Sequence, residues 1–297
     1  MCGIYGFISP KSSKTDLQTA TDRLSKRGPD SSGYFFQPPV GLGHRRLSII
    51  DLSTGDQPMY SEDRHQVLVF NGEIYNFLKL KEELQELQFK FSTSSDTEVI
   101  LKAYQAWGFQ TCLEKLEGMF AFALWDDSKK KLFIARDRYG EKPLYYTRND
   151  KGFYFGSELK ALKEHYTKAK LSKTALNLFF SLSYIPAPYT IYEDVFKLEA
   201  GKYIEVDESG TFEIKSYDDL KQIVKHNQDN LITDYTEAKK QLSDLLFTSV
   251  EERMISDVPL GSFLSGGIDS SIVSAIMAKV SKMPIKTFSI GFKEKAY

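Results

Sequence analysis

Met1-Cys2-Gly3-Ile4-Tyr5-Gly6-Phe7-Ile8-Ser9 opens the chain, and its reading decides the architecture. From Cys2 to Ser9 the run is apolar and predicts a strand. It is too short for a signal-peptide core and has no basic region before it. Cys2 follows directly on Met1. A Met before a small side chain such as Cys is usually clipped, which leaves a free α-amine on the residue that bears the thiol. That amine titrates near about 7.7–8.0 and can take the thiol proton without a partner side chain. The thiolate is the competent nucleophile. The plain alternative is a small apolar strand residue, and these nine residues alone favour it.

Working outward, Ser12–Ser25 predicts a helix that ends near Arg27-Gly28-Pro29. Gly33–Phe36, Gly41–His44, Leu47–Asp51 and Gln66–Asn71 predict strands, with Gly72 as a turn. Asn76–Leu87 and Thr97–Trp107 have helical spacing, the second preceded by Asp96 as an N-cap. Phe120–Trp125 and Lys131–Arg136 predict a hairpin, and further strands lie near Leu144–Tyr146 and Gly152–Gly156. Strands and helices come in runs rather than strict alternation, which points to an α+β layered fold. A polar stretch at Asp207–Asp234 marks the boundary. After it, Thr236–Ser256 predicts a long helix, Val258–Leu264 a strand, Ile268–Lys282 a helix and Ile285–Gly291 a strand, the opening of an α/β nucleotide-binding domain.

Bulk properties agree with a soluble globular protein of about two domains. The chain has 297 residues, 41% hydrophobic and 27% charged, with a formal net charge of -1. Nothing in that balance draws it to nucleic acid or to an anionic membrane. No run approaches the about 20 apolar residues of a membrane span. Two cysteines, Cys2 and Cys112, suggest no disulfide framework, and the expected location is the cytoplasm. Cys112 reads as a buried small residue.

Several motifs occur in order. Met1-Cys2-Gly3-Ile4-Tyr5-Gly6-Phe7 is followed by Arg27-Gly28-Pro29-Asp30-Ser31-Ser32-Gly33, His44-Arg45-Arg46-Leu47-Ser48-Ile49, Phe70-Asn71-Gly72-Glu73-Ile74-Tyr75-Asn76 and Ser95-Asp96-Thr97-Glu98. Then come Arg136-Asp137-Arg138, Lys142-Pro143-Leu144-Tyr145 and Tyr184-Ile185-Pro186-Ala187-Pro188, and finally Val258-Pro259-Leu260-Gly261-Ser262-Phe263-Leu264-Ser265-Gly266-Gly267-Ile268-Asp269-Ser270-Ser271. Together they resemble the glutamine-hydrolysing asparagine synthetase family. In it a class II glutamine amidotransferase domain precedes a synthetase domain. The resemblance implies an N-terminal-nucleophile hydrolase fold, a four-layer α/β/β/α sandwich. It implies a glutaminase domain at 2–212, a linker at 213–234 and the N-terminal portion of an ATP-dependent synthetase domain at 235–297.

The resemblance also implies roles. Cys2 attacks the glutamine side-chain amide. Arg46, not Arg45, holds the substrate α-carboxylate in a bidentate fork. Asp96 pairs with the α-ammonium, and Glu73 is a further substrate contact. The Asn71 side chain and the Gly72 backbone N–H stabilise the oxyanion, with Gly72 allowing close approach and a positive φ. An Asn-Gly pair is otherwise most often a hairpin turn. Ser265-Gly266-Gly267-Ile268-Asp269-Ser270-Ser271 places small residues at a helix start, an anion site by geometry. It lacks the Gly-Lys-Ser/Thr of a kinase-type loop. In the family it holds the pyrophosphate portion of ATP, with Asp269 helping to hold Mg²⁺ and Leu264 and Ile290 bordering the nucleotide.

Glutamine, ATP and aspartate are the implied substrates, giving asparagine through β-aspartyl-AMP; the family admits a homodimer. Another carboxylate acceptor, such as a sugar acid, shares every motif. A non-catalytic glutamine-binding module is the third reading. Residues 235–297 hold too few elements for an open sheet of two βαβ halves. Glutaminase activity is therefore expected of the chain alone, and apolar surface is expected on its second domain.

Overall fold

The computed structural model describes residues 1–166 and 170–291. Residues 292–297 of the expected second domain lie outside the described residues. The chain divides into two compact units, Met1–Asp219 and Leu220–Tyr297.

The first unit is built on β1 (Gly3–Ile8), α1 (Lys14–Asp22), β2 (Ser31–Gln37), β3 (Val40–Arg46), β4 (Met59–Tyr60), β5 (Gln66–Ile74), α2 (Phe77–Glu86), α3 (Asp96–Trp107), α4 (Phe109–Lys115), β6 (Gly118–Asp126), β7 (Lys131–Arg136), β8 (Tyr145–Asn149), β9 (Gly152–Gly156), α5 (Lys163–Tyr166), α6 (Lys173–Leu182), β10 (Phe196–Lys197), β11 (Lys202–Asp207) and β12 (Phe212–Ser216). The strands form two six-stranded sheets, ordered β10-β8-β9-β1-β3-β2 and β12-β11-β7-β6-β5-β4. Within both sheets neighbouring strands pair antiparallel.

Strand alternation explains the layering. Successive side chains point to opposite faces, so Ile4 and Ile8 of β1 join Val40, Leu42, Val67, Val69, Ala121, Ala123 and Trp125 between the sheets. Tyr5 and Phe7 point the other way, onto Leu17, Ala20 and Leu24 around α1. The far face of the second sheet carries Phe120, Phe122 and Leu124, and α2, α3 and α4 bury Leu80, Leu84, Val99, Ile100 and Leu113. Phe109 of α4 stacks on Phe133 at 4.6 Å between centroids and meets Phe122 edge-on. The result is the expected α/β/β/α sandwich. β1, covered on both faces, is buried throughout.

Several local expectations need correcting. Residues 47–51 are a loop, not a strand, because the polar groups of this segment turn inward: Leu47 N–H and C=O both engage Cys2, and Ser48 N–H bonds Asp30. β5 runs on through Gly72 to Ile74, paired with β6 from Asn71↔Ala121 to Ile74↔Gly118, so Gly72 is not a turn. The first unit extends beyond 212, since β12 pairs with β11 across Tyr203↔Lys215. The expected linker contains a helix, α7 (Leu220–Asn227).

The second unit continues with α8 (Tyr235–Glu252), β13 (Gly261–Phe263), α9 (Ile268–Val280) and β14 (Lys286–Phe288). β13 and β14 pair in parallel, Gly261↔Lys286 to Phe263↔Phe288, with α9 as the crossover, the βαβ unit expected. Val250, Ile276 and Met277 form its small core. Phe263, Ile268, Met283 and Ile290 are largely exposed, as the sequence reading expects. Among the described residues no helix is long and apolar enough to cross a membrane.

Candidate active site

Cys2 sits just before β1, at the end where β1 pairs Gly3 with Arg45 of β3. Its Sγ donates toward the Leu47 carbonyl at 3.6 Å and accepts from Leu47 N–H at 3.4 Å. Arg27 Nε donates to the Cys2 carbonyl at 2.9 Å, so the Arg-Gly-Pro-Asp segment ties down the residue bearing the thiol. Burial pushes the thiol pKa up, and the Leu47 N–H and the Arg46 charge work against that rise.

Arg46 ends β3 on the inner-facing parity of Leu42 and His44. Only 5% of it is exposed. Its guanidinium bonds Asp56 at 2.9 Å and the carbonyls of Ile50 and Asp51. Asp56 is itself exposed. Arg45, one residue earlier, faces the opposite way and bonds the Gly28 carbonyl and Asp22. Alternation along one strand therefore separates the two arginines.

β5 brings Asn71, Gly72 and Glu73. Asn71 follows Val67 and Val69 on the inner face and is fully buried. Neither its Oδ1 nor its Nδ2 has a hydrogen-bond partner among the described residues. Such orphaned groups are rare in folded proteins. Alternate residues of a strand send their N–H groups to the same edge. On this edge Phe70 N–H is taken by Gln57 Oε1 at 2.6 Å and Ile74 N–H by Asp96 Oδ2 at 3.0 Å. Gly72 N–H lies between them on that edge. The positive φ expected for Gly72 is absent. What excludes a side chain there is close packing: a Cβ would lie 2.3 Å from the Met119 carbonyl oxygen and 2.8 Å from Phe120 Cα. His44 Nε2 lies 3.1 Å from the Phe70 carbonyl. Burial lowers its pKa to about 3, so the ring is neutral, and the bond to a carbonyl requires the proton on Nε2.

Asp96 is not the N-cap. Ser95 takes that position, its side chain accepting from Thr97 N–H. Asp96 is the first helical residue and is 4% exposed, where the sequence reading expects an exposed helix start. The cap is thus filled by a neighbour, and the carboxylate turns inward to Ile74 N–H. Burial raises its pKa to about 7, assisted by the Glu73 charge and opposed by backbone hydrogen bonds.

Cys2, Arg46, Asn71, Gly72, Glu73 and Asp96 all line one cavity, of about 500 Å³ including its open mouth. Met1, Gln57 and Lys142 also line it and were given no role from sequence. Gln57 carries no motif; its side chain bridges Phe70 N–H and Thr97 Oγ1. Lys142 stands inside the Lys-Pro-Leu-Tyr motif, which was the available signal.

In the second unit the loop expected to hold phosphate connects β13 to α9. Gly266 adopts φ +83 with nothing near its missing Cβ, so the left-handed backbone itself selects glycine. Gly267 is the N-cap of α9 without a side-chain cap. Ser265 and Ser270 hydroxyls lie 3.0 Å apart, and Ser271 Oγ donates to the Gly267 carbonyl at 2.8 Å. Leu264 N–H bonds the Phe288 carbonyl and Ser289 Oγ donates to the Leu264 carbonyl. Leu264 and Ile290 are therefore both at the carboxyl end of this short parallel pair. Asp269 is exposed in the first turn of α9. Among the described residues no group of three or more His, Cys, Asp or Glu could hold a metal; a single carboxylate suits a Mg²⁺ that arrives on nucleotide phosphates.

Comparison with known proteins bears on these geometries. The glutamine amidotransferase domain family matches residues 1–218, and asparagine synthase matches residues 241–297. Asparagine synthetase [glutamine-hydrolyzing] 1 of Bacillus subtilis is 39% identical over 100% of this chain and 47% of its own length. A putative asparagine synthetase of Methanocaldococcus jannaschii is 41% identical over 99% of this chain and 60% of its own. Asparagine synthetase B of Escherichia coli is 37% identical over 94% and 45% respectively. The chain thus spans about half the length of the curated relatives it matches. Among solved structures, a glutamine phosphoribosylpyrophosphate amidotransferase of B. subtilis aligns with TM-score 0.54 at 19% identity, covering 73% of this chain and 49% of that one. At that identity it speaks for the fold alone, the two-sheet sandwich of amidotransferase domains. Over its first unit the chain belongs to the glutamine amidotransferase domain family, joined to a segment that matches asparagine synthase.

Proposed function

We propose that the first unit hydrolyses glutamine with Cys2 as nucleophile, and that the whole protein passes the ammonia to an ATP-activated aspartate. The observation that carries this reading is Asn71, buried with both side-chain polar atoms unpartnered beside the Cys2 thiol. A buried amide without partners costs stability, and a bound ligand is what would repay it.

In this reading Met1, which lines the cavity, is removed, and the Cys2 amine becomes the base. Arg46 receives the glutamine α-carboxylate, with the exposed Asp56 carboxylate yielding one of its bonds. Asp96, ionised by the incoming α-ammonium, accepts from it. The amine takes the thiol proton, and Sγ attacks the side-chain amide carbon. The oxyanion is met by Asn71 Nδ2 and Gly72 N–H, donors fixed before reaction. The C–N bond breaks as the amine returns the proton to the leaving nitrogen, and water hydrolyses the thioester to glutamate.

At the second unit, MgATP would meet the Ser265–Ser271 loop, the uncapped start of α9 favouring phosphate and Asp269 supplying one oxygen to Mg²⁺. The acceptor carboxylate attacks the α-phosphorus, pyrophosphate leaves, and ammonia then displaces AMP. The names of the relatives favour aspartate over another carboxylate acceptor.

The test is glutamate and ammonia release by wild type and Cys2→Ala, with mass spectrometry establishing the loss of Met1. Release in the wild type alone supports the reading. Release by both overturns Cys2 as the nucleophile; release by neither when Met1 is gone overturns the glutaminase and leaves a glutamine-binding module.

A further inference from the structure

The cavity contains a buried cation that the scheme above does not use. Lys142 is only 4% exposed, and it lines the cavity together with Met1, Cys2 and Glu73. Its backbone is held with unusual firmness. The Asp137 carboxylate, wholly buried, accepts the N–H groups of Phe120, Tyr139, Glu141 and Lys142. Arg136 Nε donates to the Lys142 carbonyl at 2.7 Å. One oxygen, Asp137 Oδ2, joins Lys142 N–H to Phe120 N–H, and Phe120 is the register partner of Gly72. The cradle therefore locks Lys142 to the strand pair that carries Asn71, Gly72 and Glu73. Ordering a lysine side chain in a buried site costs rotamer freedom, and moving its charge out of water costs more.

We propose that Lys142 is a positioning residue of the glutamine site, a fixed cation that shares the cavity wall with Glu73, offsets its charge and repels protons from the amine end of the chain. The inference rests on the glutaminase reading and deepens it. Burial lowers the Lys142 pKa and the Glu73 charge opposes this; burial raises that of Glu73 and the Lys142 charge opposes that. The charges facing the amine, the thiol and Lys142 come from every wall. Glu73 is on β5, Arg46 on β3 and Asp96 on α3, and Arg27, bonded to Glu158, follows α1; Glu141 and Asp137 belong to the loop of Lys142 itself. With Met1 in place, burial lowers the pKa of the Met1 amine most, Arg27 and Lys142 lower it further, and Cys2 and Glu73 raise it; the Cys2 amine freed by loss of Met1 belongs to the same cavity lining. A cation here favours thiolate over thiol and free amine over ammonium, so both titrations move down in pH.

The test compares wild type, Lys142→Met, Lys142→Arg and Glu73→Gln. Two profiles are recorded against pH: kcat/KM for glutamine, and the rate of Cys2 alkylation by iodoacetamide, read from the N-terminal peptide. Lys142→Met leaves the Glu73 charge without the Lys142 cation to offset it and should move both profiles about one pH unit upward. Lys142→Arg should restore the wild-type position, and Glu73→Gln should move the profiles downward. Unmoved profiles in Lys142→Met, or an upward shift in Glu73→Gln, would overturn the proposal. Wild type that releases no glutamate refutes the glutaminase reading instead, while the alkylation profiles still decide the role of Lys142.

Discussion

Replacing Asn71 with leucine should make the protein more stable and nearly inactive. Leucine keeps the branched four-atom skeleton of asparagine but has no polar atoms. Asn71 is 0% exposed, and its Oδ1 and Nδ2 find no partner among the described residues. Each such atom costs roughly 1–3 kcal/mol when left unsatisfied. Some of that gain is lost to the larger volume of leucine, although the side chain faces the cavity and can spread into it. A net stabilisation of about 1–2 kcal/mol follows. For a unit of this size that raises the thermal midpoint by about 2–8 °C. Under the proposed mechanism the same change deletes an oxyanion donor, lowering kcat by about 10²–10³. Both tryptophans, Trp107 and Trp125, lie in the first unit, so their fluorescence in urea follows that unit alone. A loss of stability above 1 kcal/mol would show that Asn71 is satisfied in the folded protein. Near wild-type turnover would remove it from the chemistry.

Asp96→Asn tests a linkage of opposite origin. The Asp96 pKa, pushed by burial to about 7, exceeds the unfolded value of about 3.9. The folded state therefore binds the extra proton, and the contribution of Asp96 to stability is full below about 3.9 and fades as pH rises to 7. Asp96→Asn should accordingly stabilise the protein at pH 8, by on the order of 2 kcal/mol, and leave it unchanged near pH 4, while raising KM for glutamine; equal effects at both pH values would be inconsistent with a buried carboxylate. Gly72→Ala should destabilise by about 1–3 kcal/mol, because a Cβ placed 2.3 Å from the Met119 carbonyl forces β6 away. A urea midpoint matching wild type would mean that the two strands are not in close contact there.

Much of the site was legible because the decisive residues lie on regular strands. Arg46 could be separated from Arg45 by family motif alone, and the strand parity of β3 supplies the physical reason. Asn71 and Gly72 were harder. Asn-Gly is ordinarily a turn signal, and only the partner strand, with Ala121 and Phe120 opposite, reveals that the pair continues a ladder. Asp96 was misplaced by one residue, since Ser95 and Asp96 are both good caps, and tertiary burial rather than propensity decides which one turns inward. Gln57 enters the cavity from a loop whose course is set by its bond to Phe70 on β5, which no local pattern encodes. Lys142 enters from a loop held on the buried Asp137, and there only the Lys-Pro-Leu-Tyr motif marked it. The end of the first unit was missed for a related reason: Phe212–Ser216 looks like polar linker until Tyr203 is placed beside Lys215.

The placement of β1 has a mechanical consequence. Chain ends in most proteins fray and exchange their amide hydrogens freely. Here the leading strand is clamped between β3 and β9, and the Ile4 N–H donates to the buried Ser157 hydroxyl at 3.0 Å. The strand is thus buried along its whole length, and protection from exchange should begin with its first residues. An affinity tag attached ahead of Met1, which lines the cavity, would leave beside its mouth, so fusions to this protein belong elsewhere.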